Sequence, residues 1–477
     1  MYQFLTSTQA DQPSVGAPRR EIPRRLLHRL ATLTISALAV AFPQTPYSKA
    51  LSAESTTRPN IVVIMADDMG YECLSANGSL DHKTPNIDAL AAGGLRFEHC
   101  YSQPICTPSR VKLMTGKSNK RNYVKFGKLD RQQTTFAHIL KDAGYTTCIA
   151  GKWQLGKEAD APQHFGFDQS FLWQHTRSGR SKENGKNYDR RYVNPLIELN
   201  GQERDYVDGE YGPDVCTDFV CDFIDKNNEK PFLVYYPMIL THCPFDPTPD
   251  STDWDPKRLG STTYKGDRDD PQRLFRDMVS YVDKTIGKLD ARLKKVGVRD
   301  NTLLMFIGDN GTDTPIVTNT TFGQVVGAKG QMVDAGNHVP CFMSWPGVIK
   351  KGRVVQDIID FSDFLPTICE ATGAKMPDGL TVDGQSFLPR LKGEAGSPRD
   401  SIYMWYSRNG AVKQARAFSR NQRYKLYESG KFYDVPNDRL EKQPLDDASL
   451  TDEQRRIKAV LQARLDRFAD IKPVNAK

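Results

Sequence analysis

The chain has 477 residues, with 65 Lys and Arg against 58 Asp and Glu, a formal charge of +7, 38% apolar residues and 10% aromatics. That aromatic content and near-balanced charge exclude a disordered chain, and a mean hydropathy of −0.56 excludes a multi-span membrane protein. No Lys/Arg run is interleaved with aromatics, so the basic excess does not describe a nucleic-acid binder, and a soluble enzyme class remains.

Five arginines between Arg19 and Arg29 precede a largely apolar run over 30–42, then Pro43 and small or polar residues up to Ala53. This order reads as a secretory leader over 1–53, too short for a comfortable membrane span. It predicts an exported chain, periplasmic or extracellular, with no stable membrane insertion once the leader is removed. The leader holds six Lys and Arg against two Asp and Glu, so the rest of the chain carries only about +3. Nine cysteines is an odd number, so at least one stays unpaired, and neither a C-x-x-C nor a histidine cluster suggests zinc.

The continuous apolar run over 60–66, bounded by Pro59 and Asp67, reads as a buried central strand. Thr84-Pro85-Asn86 predicts a helix start with a side-chain cap, and Gly93-Gly94 its end before a strand over 95–101. Two more buried runs, 146–150 and 231–237, each follow a helical stretch, so the alternation is βαβ. Cys216 and Cys221 fall in an expected helix over 214–225 and read as small buried apolar residues. A helical pattern over 275–296 precedes another buried run over 302–307. These elements predict one large, mostly parallel, doubly wound α/β sheet flanked by helices, in a catalytic domain over 54–376. From about 377 short alternating segments at 402–406, 415–418 and 424–427 predict an antiparallel sheet. A helix over 451–468, opened by a Thr451-x-x-Gln454 capping box, closes a small α+β subdomain over 377–477. The polar stretch 174–212 is the one long segment with loop composition. Its cations Arg177, Arg180, Lys182, Arg190 and Arg191 suit an anionic glycan or a solvated loop equally well.

The chemistry starts with carboxylates at strand ends. Asp67-Asp68 follows the first buried strand and Asp309-Asn310 follows the strand ending at Gly308. In an open parallel sheet functional groups gather beyond the carboxyl ends of the strands, so these four oxygen-bearing side chains are placed to converge. Three carboxylates and an amide suit Ca²⁺ or Mg²⁺ rather than zinc or copper. In Cys106-Thr107-Pro108-Ser109-Arg110 the proline predicts a helix start, placing Cys106 at a helix N-terminus with Arg110 one turn in. That setting favours a reactive group over an inert buried thiol.

Cys106-x-Pro108-Ser109-Arg110 with Thr115-Gly116 behind it resembles the signature of the formylglycine-dependent sulfatases, relatives of alkaline phosphatase. Asp67-Asp68, Thr84-Pro85-Asn86, Gly151-Lys152-Trp153, Asp309-Asn310-Gly311 and Lys329-Gly330 leading to Val339-Pro340 follow in that family's order. The resemblance implies that a maturation enzyme oxidises Cys106 to formylglycine, whose hydrate attacks the sulfur of a sulfate monoester and later expels sulfate. It implies a cation, calcium or magnesium in its place, held by Asp67, Asp68, residue 106, Asp309 and Asn310. Arg110 would orient the nucleophile, Lys152 and Lys329 would hold sulfate oxygens, and His242 would protonate the departing alcohol. The substrate implied is a sulfated small molecule or, preferentially, a sulfated carbohydrate. Two positions depart from the family. Gln154 stands where histidine is common, and an amide cannot take a proton at neutral pH, leaving the base of the elimination step open between Asp309 and none. His338, beyond Asp334, stands where many relatives have arginine, and is expected to support the site from outside or to read the substrate. A phosphate mono- or diester hydrolase, and a non-catalytic binding protein with an unmodified Cys106, are the competing readings.

Overall fold

The computed structural model describes residues 58–475; the expected leader lies outside them. Asn60–Ala66 forms a strand buried at every position. It lies in a ten-stranded sheet ordered Arg353–Asp360, Leu95–Tyr101, Cys341–Ser344, Thr302–Gly308, Asn60–Ala66, Phe232–Pro237, Thr146–Lys152, Gln169–Trp173, Leu196–Leu199, Gln202–Asp205. The five strands from Thr302–Gly308 to Gln169–Trp173 are mutually parallel, and antiparallel pairing begins only outside them. Side chains alternate across a strand, so the buried run over 60–66 feeds two cores. Ile61, Val63 and Met65 belong to one, Val62, Ile64 and Ala66 to the other.

The second core is closed by Gly212–Asn227 and Pro271–Lys295. Asp270 caps the latter helix by accepting from the Arg273 N–H at 2.9 Å, and Leu274, Met278, Val282, Ile286 and Leu289 form its buried stripe. The first core is closed by Cys106–Thr115, Phe136–Asp142 and Phe364–Thr372, and it runs without a break into the C-terminal segment. There Ile402–Tyr406, Arg416–Arg420, Tyr424–Tyr427 and Phe432–Asp434 form a separate four-stranded antiparallel sheet. The helix Asp452–Ala469 packs on it through Leu461, Leu465 and Phe468, each worth about 2 kcal/mol of apolar burial. Its capping box is made in both directions, at 2.9 and 3.2 Å.

The expectations differ from the structure at three places. Thr84 does not cap the helix Pro85–Gly93 with its side chain. Asp283, on the long helix 271–295, does so instead by accepting the N–H groups of Asn86 and Ile87 at 3.1 and 2.8 Å. Thr84 Oγ1 is turned to Ser75 and Asp88. The stretch 174–212 is not all loop: Arg180–Glu183 pairs with Lys186–Asp189, and Leu196–Leu199 with Gln202–Asp205 extends the main sheet. The strands Gln169–Trp173, Cys341–Ser344 and Arg353–Asp360 also join a sheet that sequence patterning left smaller. All nine cysteines, Cys216 and Cys221 among them, are buried free thiols. Among the described residues no helix is long and apolar enough to cross a membrane.

Candidate active site

Four neighbouring parallel strands deliver their carboxyl ends to one place. Ala66 is in register with Gly308, so Asp67 and Asp309 emerge side by side. Gly308 permits this close packing, because a Cβ there would press on the carbonyl oxygen of Met69. Asp68 turns sharply, with φ at 61°, and its N–H donates to Asp309 Oδ1 at 3.0 Å. This left-handed backbone is one a non-glycine residue adopts only when its surroundings hold it there. The loop after Phe232–Pro237 is clamped to Asp67 by two backbone hydrogen bonds, Asp67 N–H to Leu240 O and Thr241 N–H to Asp67 O, both 2.7 Å. That clamp fixes His242 beside Asp68. Lys152 is the last residue of Thr146–Lys152, and Lys329 is held by its N–H donating to Thr312 O at 3.0 Å.

Cys106 opens the helix Cys106–Thr115. Ser109 Oγ fastens the preceding loop to that helix, donating to Ile105 O at 2.9 Å and accepting from Gln103 N–H at 3.1 Å. Cys106 Sγ donates to Gln154 Oε1 at 2.7 Å, with Gln154 in a left-handed conformation at φ 54°. Fully buried Arg110 binds Asp309 at 3.1 Å, Asp67 at 3.4 Å and the Lys152 carbonyl at 2.9 Å. Lys152 Nζ lies 2.6 Å from Asp67, and Lys329 Nζ 2.5 Å from Asp68 and 3.1 Å from His242 Nε2. Three acids are thus interleaved with three cations.

Their protonation follows from burial and neighbours. Burial alone raises Asp67, but Lys152, Arg110 and Lys329 together overturn it and hold the carboxyl below its usual value. Burial raises Asp68, with Lys329 opposing and Asp67 and Asp313 adding to it. Burial followed by Asp67 pushes Asp309 up to about 7. Burial also raises the Cys106 thiol against the pull of Lys152. His242 is held well below the ordinary histidine value by burial, then by Lys329, Lys152 and Arg191.

The donor set fits a hard divalent cation. Asp67 Oδ1 and Asn310 Oδ1 are buried oxygens without a hydrogen-bond partner, the pattern left when acceptors face an ion. Ligand atoms of Asp67, Asp68 and His242 lie within 4.8 Å of one another. The two oxygens of Asp309 accept from the Asp68 N–H and from Arg110, as those of Asp68 accept from Asn310 and Lys329, and each carboxylate oxygen keeps a lone pair. Asn310 Nδ2 donates to Asp68 Oδ1 at 2.8 Å, which leaves its carbonyl oxygen free for the cation.

A cavity of about 430 Å³ opens over Cys106, lined by Lys152, Gln154, His242 and Lys329. It therefore brings together every expected catalytic residue except Arg110, which lies behind the wall. His338 is elsewhere: it stacks on Tyr71 at 4.2 Å and contacts Asp334 at 3.3 Å, so its place is in the support of the fold rather than in the cavity. Trp173, Asp189, Tyr264 and Arg408 are among the lining residues that the sequence did not single out. Arg191, expected only as one of several loop cations, is buried against Asp189 at 2.8 and 2.9 Å, stacks over Trp173 at 4.3 Å and reaches His242 Nδ1 at 2.7 Å. An acid two residues before an arginine was the available signal.

Comparison with known proteins agrees with this geometry. The family model described as Sulfatase matches residues 59–374, and that of the N-sulphoglucosamine sulphohydrolase C-terminal region matches 328–470. Human (Homo sapiens) arylsulfatase A is 30% identical over 85% of this chain and 78% of its own. N-acetylgalactosamine-6-sulfatase of Mus musculus is 29% identical over 72% of this chain and 68% of its own. A solved structure in complex with its substrate D-glucosamine-2-N,6-O-disulfate shares the fold, with a TM-score of 0.70 at 23% identity, covering 88% of this chain and all of that one. With a family model spanning the whole α/β sheet, the chain belongs to the sulfatase family of the alkaline phosphatase superfamily.

Proposed function

We infer that this chain is an exported sulfatase that hydrolyses sulfate monoesters of a carbohydrate, matured by conversion of Cys106 to formylglycine and dependent on calcium or magnesium. The observation that carries the reading is the floor of the cavity. Cys106 Sγ lies there beside Gln154, with Lys152 and Lys329 on the walls and the two unpartnered oxygens of Asp67 and Asn310 next to them. When present, the formylglycine hydrate would supply an oxygen nucleophile that can also be expelled again, and the cation would neutralise charge on it and on sulfate.

The remaining work falls to the chain's own side chains. Asp67, Asp68, Asp309 and Asn310, with the matured side chain at position 106, would hold the cation. Arg110 keeps Asp67 and Asp309 in place and does not reach substrate. Lys152 and Lys329 exchange part of their contact with Asp67 and Asp68 for sulfate oxygens in a site shielded from water. His242 is neutral in this arrangement. A bound sulfate offsets the cations around it and raises its proton affinity, so that His242 Nε2, 3.1 Å from Lys329 Nζ, carries the proton delivered to the leaving oxygen, while Lys329, held protonated by Asp68, stays on sulfate. Gln154 orients the side chain at position 106 by hydrogen bonding but takes no proton.

The test is peptide mass spectrometry across Cys106 after expression alongside a formylglycine-generating enzyme, paired with sulfate release from 4-nitrophenyl sulfate. Conversion with turnover, lost in Cys106→Ala without unfolding, is the expected result. A persistent thiol with no sulfate release overturns the reading in favour of a binding protein, and preferred cleavage of 4-nitrophenyl phosphate overturns it in favour of a phosphate hydrolase.

A further inference from the structure

A second cavity, of about 770 Å³, lies against the first. Arg408 lines both, and of the adjacent pair Lys329 and Gly330 one faces the sulfate pocket and the other the second cavity. Its walls come from the loop 330–333 and from the C-terminal antiparallel sheet, including Tyr406, Tyr427 and Tyr433.

Most arginines here are paired with acids, yet the guanidinium groups of Arg408 and Arg416 and the ammonium of Lys431, all three solvent-exposed, make no ion pair or hydrogen bond among the described residues. The acids in the same walls are already engaged. Glu441 accepts from Lys425 Nζ at 2.8 Å and from Tyr427 OH, and is held at φ 53° to do so. Glu428 accepts from the Ala417 N–H at 3.2 Å. What remains is a concave, aromatic-walled surface in which three cations without an acid partner outweigh the single carboxylate of Glu428, a net excess of about two positive charges, continuous with the pocket that holds Cys106. Such a surface attracts a polyanion and offers ring faces to the apolar side of a sugar.

We propose that the second cavity is an anion-reading subsite, in which Arg416 and Lys431, with Arg408 at the junction, bind a second negatively charged group of an extended sulfated saccharide whose scissile sulfate sits over Cys106. The proposal rests on the sulfatase reading for its scissile group, but the cavity's anion preference is measurable without turnover. The substrate it selects is an oligosaccharide carrying at least two anionic groups, rather than an isolated monosulfate.

The probe is sucrose octasulfate, a saccharide of high negative charge, titrated calorimetrically into the full chain carrying Cys106→Ala. Arg416→Ala/Lys431→Ala on that background should weaken binding roughly tenfold, the loss expected for two charge-assisted contacts. Lys350→Ala/Lys351→Ala removes the same charge from exposed positions that line neither cavity, and should change the affinity less than about twofold. Equal weakening in both double variants, no weakening in the first, or no binding by the Cys106→Ala chain each overturns the subsite. Circular dichroism and the melting temperature verify that the variants are folded. Loss of 4-nitrophenyl sulfate hydrolysis in the unsubstituted chain, with probe binding intact, would instead count against the sulfatase reading alone.

Discussion

Cys106 Sγ donates a hydrogen bond of 2.7 Å to Gln154 Oε1, so the side chain at the head of the helix Cys106–Thr115 is oriented by an amide. An amide positions but cannot accept the proton that an elimination step must release. Gln154→His is therefore expected to raise kcat toward 4-nitrophenyl sulfate by roughly tenfold, a modest share of what a positioned base supplies. Gln154→Leu, which removes the hydrogen bond as well, should lower kcat below the parent. An unchanged or reduced kcat in the histidine variant shows that proton removal does not limit turnover.

Chelation should weaken the protein as well as its activity. Asp67, Asp68 and Asp309 are buried together, and a cation that binds the folded chain alone stabilises it by mass action, about 4 kcal/mol at a thousandfold excess over Kd. Treatment with EGTA or EDTA is expected to abolish sulfate release and lower the melting temperature by several degrees, with both restored by calcium or magnesium. A melting temperature indifferent to chelator and to added cation would exclude a resident ion at these oxygens.

Lys112, two residues beyond Arg110 on the same helix, is buried and pairs with Asp360 at 2.8 Å. Its Nζ also reaches the carbonyl of Tyr403, in the first strand of the C-terminal sheet, at 3.5 Å. Removing one partner leaves a buried charge uncompensated, at a cost of about 3–5 kcal/mol. Lys112→Ala should show that loss in chemical denaturation, while kcat in the surviving folded fraction stays near that of the parent. A loss below about 1 kcal/mol would mean that Asp360 is satisfied by Arg399 without it.

His82 predicts an acid-labile fold. Both of its ring nitrogens are buried without a hydrogen-bond partner, its ring meets Phe275 edge-on at 5.6 Å, and burial lowers its pKa from 6.5 to about 4. Between those values the unfolded chain binds a proton that the folded chain does not, so stability falls as pH drops through that window. At pH 5 the loss attributable to His82 is about 2 kcal/mol. His82→Leu should flatten the decline in melting temperature between pH 7 and 5. An identical decline in parent and variant would assign it to other groups.

How far the site could be read from the chain depended on where each residue falls. Asp67 and Asp309 were legible because each follows an unbroken apolar run, and adjacent parallel strands must end side by side. Cys106 was legible because Pro108 fixes a helix start. Arg191 and Asp189 were not, since the polar stretch around them lacks any period of two or 3.6, and Arg191 becomes buried only because Asp189 and the ring of Trp173 receive it. Cys341–Ser344 has four residues, too few for a pattern, and Arg353–Asp360 mixes exposed and buried positions at an edge. The cap from Asp283 to the Pro85–Gly93 helix joins residues nearly 200 positions apart, which local sequence cannot express.

The nine buried thiols give the protein an internal counter. No crosslink joins the nine cysteines, so production in a reducing cytosol forfeits nothing structural, and in the native state every sulfur except that of Cys106, which faces the cavity, is shielded from an added electrophile. Unfolding exposes them together. A thiol reagent in denaturant is therefore expected to titrate nine equivalents in unmatured chain, and eight in chain converted at position 106 as proposed. The stoichiometry of a single colour reaction thus reports the matured fraction of a preparation, and specific activity can be expressed per matured site.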